Sequence, residues 1–376
     1  MRLTSELCIL KSGAGSVIID KKNTRAPAPG EDIMIFSKVS EKNRTIIAIS
    51  LFVLVFAALV VAATYTDLDV SKMLTKGILE EGEYLASDTF GVALEIFGSS
   101  PVYIIAGFAA ALLMMYIWRF FKLRPLREIA CAVLLAGVVL AFWLFFNDMF
   151  GYIAEHAGME DTYLENAMTL VAVFCALLAA CTVVFALRGM KDDTLRSLMK
   201  FVIAFIIMAA VANLLVHIIK EPAGRMRYRA MNSALGATMG GFDNFTAWYK
   251  MNGQPDASVL EAFEEWYGVS DAFKSFPSGH TCAAGMTYAL IMLPDILKMK
   301  NKPLRALCWI FPVLFTGLVA VSRIMVGAHY FSDVLFGGTI AFLSMMLARE
   351  IVVFKFEHFK CLGKNHVPAI PAETEE

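Results

Sequence analysis

Runs of about 20 apolar residues, the length that crosses a bilayer as a helix, recur along this chain between polar connections. They fall at residues 45–65, 101–118, 129–150, 167–187, 200–219, 280–297, 306–322 and 332–354. The pattern predicts an all-α polytopic transmembrane bundle of about eight spans. The first run is expected to stay in place as a span, because residues 1–43 precede it and no small-residue cleavage site follows it.

The polar connections alternate in charge. Basic clusters stand at Lys38, Lys42 and Arg44, at Arg119, Lys122, Arg124 and Arg127, at Arg188, Lys191, Arg196 and Lys200, at Lys298, Lys300, Lys302 and Arg305, and at Arg349 and Lys355. These are every second connection, and Lys and Arg accumulate on the cytoplasmic side. The segments between them are acidic or neutral: residues 66–100 carry Asp67, Asp69, Glu80, Glu81, Glu83, Asp88 and Glu95, and residues 151–166 hold no Lys or Arg. Both termini are therefore expected in the cytoplasm, with residues 221–279 outside. The chain divides into a tail over 1–43, N-terminal spans with an acidic outer loop over 44–127, a larger membrane domain over 128–355 and a second tail over 356–376.

Composition agrees with this class. The 376 residues are 58% hydrophobic and 18% charged, against about 25% charged in soluble domains. The seven cysteines include no CxxC pair, so neither a zinc site nor a disulfide framework is suggested. Residues 221–279 are rich in aromatics, including Phe242, Phe245, Trp248, Tyr249, Phe263, Trp266 and Tyr267, which is expected to bring this segment to the headgroup layer; a packed cap with no contact to substrate is an equal reading.

Three polar segments at the ends of late spans carry the candidate chemistry, all on the outer side of this topology. Lys220 and Arg227 flank a Gly-containing turn and can converge on one anion; taken alone, basic residues in such places more often meet lipid headgroups. Pro277-Ser278-Gly279-His280 opens the sixth span, where a serine cap, a glycine and free N–H groups suit an anion and His280 can donate a proton; a plain helix entry is an equal reading. Ser322-Arg323 closes the seventh span. His329 and Asp333 share a helical face at i,i+4, so Asp333 can accept a hydrogen bond from one ring nitrogen and leave the other free to attack phosphorus; alone, the pair would read as a structural bridge. Cations, histidines and a carboxylate are costly at a membrane's edge, and together they argue for a phosphate-handling site. Asn213 and His217 share a face with Lys220, as supports for it or as contacts to another helix.

This arrangement resembles the type 2 phosphatidic acid phosphatase superfamily of integral membrane lipid phosphatases. That family's pattern is Lys, six residues, Arg-Pro; then Pro-Ser-Gly-His; then Ser-Arg, five residues, His, three residues, Asp. The chain matches throughout, except that Tyr228 stands where the first element has proline. The resemblance implies a six-helix catalytic core, leaving two N-terminal spans unexplained, and a metal-independent reaction with no cofactor. Carried over by position, His329 is the nucleophile that forms a phosphohistidine, Asp333 orients it and His280 is the general acid. Lys220, Arg227, Ser278, Gly279 and Arg323 bind the phosphoryl group.

The expected function is a lipid phosphate phosphatase of the plasma membrane, hydrolysing phosphatidate, phosphatidylglycerophosphate or a polyprenyl pyrophosphate at the extracytoplasmic face. A phosphotransferase with an alcohol acceptor is the alternative. An anion transporter is a third reading, disfavoured because transporters hold ligands near the bilayer midplane. The expected partners are the membrane and a lipid phosphate, with no nucleic acid.

Overall fold

A computed structural model describes residues 41–86, 88–157 and 162–360. The two tails, apart from a few residues at their inner edges, lie outside these. Among the described residues there is no strand, and seven helices are long and apolar enough to cross a membrane.

The helices are α1 (Glu41–Thr75), α2 (Thr89–Gly98), α3 (Ser100–Phe120), α4 (Arg124–Ala157), α5 (Thr162–Leu187), α6 (Asp192–Ala223), the short α7 (Tyr228–Asn232), α8 (Ala234–Thr238) and α9 (Ala257–Tyr267), then α10 (Gly279–Ala284), α11 (Leu293–Ile296), α12 (Lys302–Met325) and α13 (Phe331–Arg349). The expected span over 280–297 exists as a composite: α10 runs into a 3-10 segment, Gly285–Met292, and then α11. A 3-10 segment rises about 2.0 Å per residue against 1.5 Å in an α-helix, so this short crossing reaches roughly the 30 Å of a hydrocarbon core. Gly285 permits its close packing, since a Cβ there would stand 2.5 Å from Cβ of Ala341 on α13.

The first helix overruns its apolar segment. Its 35 residues extend about 50 Å at the standard rise, so α1 continues well past residue 65. Most of its surface is exposed, but Ala63, Asp67, Ser71 and Thr75 form a buried stripe at i,i+4 spacing. The acidic connection after it contains α2, which buries Gly91, Glu95 and Gly98. A Cβ at Gly91 would meet Val326 at 2.3 Å and one at Gly98 would meet Val319 at 3.1 Å, so these glycines let α2 lie directly on the end of α12.

The aromatic segment is mainly a packed cap. Phe263 is fully buried, and Tyr84, Met226, Tyr228, Met231, Val326 and Tyr330 surround it in one apolar cluster. Tyr84 stacks on Tyr267 at 4.9 Å, Phe245 meets Tyr330 edge-on at 5.4 Å and Trp248 lies 4.8 Å from Phe336. Tyr249 and Trp266 alone of the seven expected aromatics are exposed. The others satisfy their apolar surface against the helix ends beneath them.

Candidate active site

Four helix ends and two loops converge at one end of the bundle. They are the C-terminal ends of α6 and α12, the N-terminal ends of α10 and α13, and the loops 224–227 and 326–330. This end is opposite the connections that carry Arg119, Arg188, Lys191, Lys298 and Lys300.

The first motif is shaped by Gly224. It terminates α6 in the left-handed region, φ 51 and ψ 33, with its N–H to the Lys220 carbonyl. A Cβ on it would lie 1.7 Å from the carbonyl oxygen of Gly253. Lys220, one turn before Gly224 on α6, reaches toward the second motif, with Nζ only 3.3 Å from where a Cβ of Gly279 would sit. Arg227 is buried and pairs with Asp271, while its Nε has no hydrogen-bond partner. Asp271 sits outside the spans; burial favours its neutral form, but Arg227, Arg229 and Lys220 outweigh this and hold its carboxyl below the ordinary range.

With Tyr228 in place of proline, the backbone still takes the conformation that a proline would favour. Arg227 has φ −71 and ψ 151 as the N-cap of α7, the extended conformation that a following proline would impose. Tyr228 is then the first helical residue, a position whose N–H has no helical acceptor and where proline is favoured for that reason.

In the second motif Ser278 caps α10 through the Thr281 N–H, and its own N–H donates to the Asp333 carbonyl at 3.0 Å. Gly337 permits this approach, because a Cβ there would stand 2.4 Å from the Ser278 carbonyl oxygen. His280 Nε2 is 2.9 Å from the hydroxyl of Tyr152 on α4.

The third motif differs from expectation in one hydrogen bond. His329 Nδ1 pairs with the backbone carbonyl of Ser275 at 2.7 Å, whereas the Asp333 carboxylate is 3.7 Å away. The lone pairs of Asp333 are taken elsewhere: Oδ1 accepts from Arg225 at 2.6 Å, and Oδ2 accepts from Ser275 Oγ at 2.5 Å and from the Tyr330 N–H at 2.8 Å. Nε2 of His329 has no hydrogen-bond partner among the described residues. Burial depresses the His329 pKa to about 4, with Arg227 and Lys220 in the same sense, against the Asp333 carboxylate, which raises it. Burial therefore outweighs the Asp333 carboxylate in setting the direction.

The sequence reading missed four residues of this assembly. Arg225, 1% exposed, spans Asp333, Ser332 and Asp67. Asp67 arrives on α1 and Glu95 on α2. Glu95 is buried within 2.7 Å of Arg323 Nη1, 3.2 Å of His156 and 3.8 Å of Arg229. Arg323 is fully buried and also donates to the Gly91 carbonyl at 2.6 Å. Tyr152 is the fourth. The buried i,i+4 stripe of small and polar residues on α1 is the one signal that could have pointed to Asp67. Asn213 and His217 lie exposed on the outer face of α6, away from the site.

The arrangement thus gathers Lys220, Arg227, His280, Arg323, His329 and Asp333, with a histidine nitrogen left free among cations. It can hold an anion and present it to a nucleophile. Residues 201–357 match the family model described as the PAP2 superfamily, a stretch that contains all three motifs but begins after α5. No curated protein and no solved structure matches the chain.

Proposed function

We propose, from the match of residues 201–357 to the PAP2-superfamily model, that this integral membrane protein is a phosphatase that removes the terminal phosphate of a lipid phosphate or pyrophosphate through a phosphohistidine on His329. The observation that carries this reading is the unpartnered Nε2 of His329. A carbonyl accepts only from an N–H, so the bond to Ser275 assigns the proton to Nδ1 and leaves the Nε2 lone pair available for in-line attack. The low pKa keeps that lone pair unprotonated at neutral pH.

In this reading Lys220, Arg227, Ser278, Gly279 and Arg323 hold the phosphoryl oxygens, His280 protonates the leaving oxygen and water then resolves the phosphohistidine. Asp333 acts on His329 through space and by fixing the 329–333 turn, rather than through a direct hydrogen bond. The mechanism requires no metal. The site end faces the extracytoplasmic side, as the distribution of Lys and Arg favours, and the plasma membrane supplies the substrate.

The test is phosphate release by the purified protein from a panel of phosphatidate, phosphatidylglycerophosphate and polyprenyl pyrophosphate. Samples quenched in alkaline detergent are assayed in parallel for an acid-labile, base-stable labelled histidine. Release without such an intermediate would remove the covalent step, and no release from any member of the panel would remove the lipid substrate class.

A further inference from the structure

We propose that Asp67, on the first helix, is a positioning residue of the active site that acts through Arg225 on Asp333. The match to the family begins at residue 201, so α1 is outside it, yet α1 delivers a carboxylate into the most buried part of the site.

The contacts are specific at each atom. Asp67 Oδ1 accepts from the Ser332 N–H at 2.8 Å; Oδ2 accepts from Ser332 Oγ at 2.5 Å and from Arg225 Nη2 at 2.9 Å. Arg225 Nη1 reaches Asp333 Oδ1 at 2.6 Å and Ser332 Oγ at 2.8 Å, while its Nε is fixed by the Thr246 carbonyl at 2.9 Å. The guanidinium lies 4.0 Å from the centre of the Tyr330 ring. Asp67, Arg225, Ser332 and Asp333 are all at most 3% exposed.

An arginine fork shared by two carboxylates has its orientation set by both. Asp67 holds one side of the fork and thereby directs the other at Asp333. It also holds Ser332, the residue before Asp333, by backbone and side chain together. Asp67 thus fixes the first turn of α13, which sets the distance from Asp333 to His329. The cap also contacts this unit, since Trp248 Nε1 donates to Thr64 Oγ1, one turn before Asp67, at 2.9 Å. The simpler alternative is that Asp67 only fastens α1 to the bundle.

The proposal rests on the phosphatase reading, and one set of proteins separates the two. Wild-type turnover of para-nitrophenyl phosphate tests the reading. The comparison of wild type, Asp67→Asn, Asp333→Asn and the double variant tests Asp67. Asp67→Asn is isosteric and keeps an acceptor for the Ser332 N–H. It is expected to lower kcat about tenfold with KM changed less than about twofold, as for a group that does not touch substrate. In the Asp333→Asn background the same change should cost less than about twofold, because its route to the histidine is already cut. Losses that multiply, or an unchanged kcat in Asp67→Asn, would overturn the proposal in favour of simple fastening. If Asp67→Asn does not yield folded protein, the same cycle is run with Asp67→Glu, which keeps the charge but not the three contacts. Wild-type kcat or a multiplicative loss there overturns it equally.

Discussion

Nδ1 of His329 lies 2.7 Å from the backbone carbonyl of Ser275. That bond comes from main chain, so no substitution at position 275 deletes it directly. Ser275→Ala removes only the hydroxyl that donates to Asp333, which retains Arg225 and the Tyr330 N–H. A hydrogen bond to a charged group contributes about 1.5–3 kcal/mol, so the expected loss in kcat is about tenfold to 150-fold. His329→Ala should instead lower turnover by on the order of 10³-fold or more and abolish the labelled phosphoenzyme. Steady-state rates for the two variants check this; comparable losses would place the chemistry elsewhere.

The depressed histidine predicts a dependence of stability on pH. His329 has a folded-state pKa of about 4, whereas the unfolded chain titrates near 6.5. Below about 6.5 the unfolded state therefore binds the extra proton, and stability falls as pH decreases toward 4. The contribution is on the order of 3 kcal/mol at its limit. His329→Gln, which cannot titrate, should lose less stability over this interval than wild type. Thermal unfolding in detergent between pH 7 and 4 measures the difference, and parallel curves would contradict the assignment.

Tyr152 predicts a leaving-group effect. Its hydroxyl is 2.9 Å from His280 Nε2, and among the described residues no other side chain is hydrogen-bonded to that ring. Tyr152→Phe should lower kcat for an alkyl phosphate by about threefold to tenfold, the range of one neutral hydrogen bond. The effect on para-nitrophenyl phosphate should be smaller, because that leaving group departs without a proton. Equal losses on the two substrates would mean that Tyr152 does not act through the general acid.

The residues legible in the sequence were those at the polar ends of apolar runs. Lys220, Ser278, His280, Arg323, His329 and Asp333 stand out there because each is costly so close to lipid, and the structure brings them to one end of the bundle. Asp67, Glu95 and Arg225 were hidden for a different reason. The two carboxylates look like ordinary outer-loop charges, and Arg225 like one of several basic residues in a turn. Their partners are 158 residues away in the case of Asp67 and Arg225, a separation that local pattern does not encode. The expected Asp333–His329 hydrogen bond illustrates the same limit. Spacing of i,i+4 places two side chains together, but competing donors such as Arg225 and Ser275 decide which bond forms.

Glycine substitutions separate the turn from the helices. Gly224→Ala combines a left-handed backbone with a Cβ inside the carbonyl of Gly253, so it should destabilise the protein by more than about 2 kcal/mol and displace Arg225 and Arg227, which follow the turn. Gly317→Ala is its control: it lies inside α12 with nothing within 4 Å of the added Cβ, and should stabilise by about 0.5–1 kcal/mol. Melting temperatures of the two variants should move in opposite directions.

Orientation is tested without any chemistry. Met251 is 62% exposed in the cap over the site end, and Lys300 is exposed in the connection at the opposite end. In a cysteine-free background, Met251→Cys should react with a membrane-impermeant maleimide in intact cells, and Lys300→Cys should react only after the membrane is permeabilised. The physical basis is the bias of Lys and Arg toward the cytoplasmic connections; an anionic substrate on the outer side would offset the opposing charge of the arginines and lysine of the site. Reversed labelling would put the phosphoryl pocket in the cytoplasm, remove outer-leaflet lipids from the candidate substrates and leave the basic connections without an explanation.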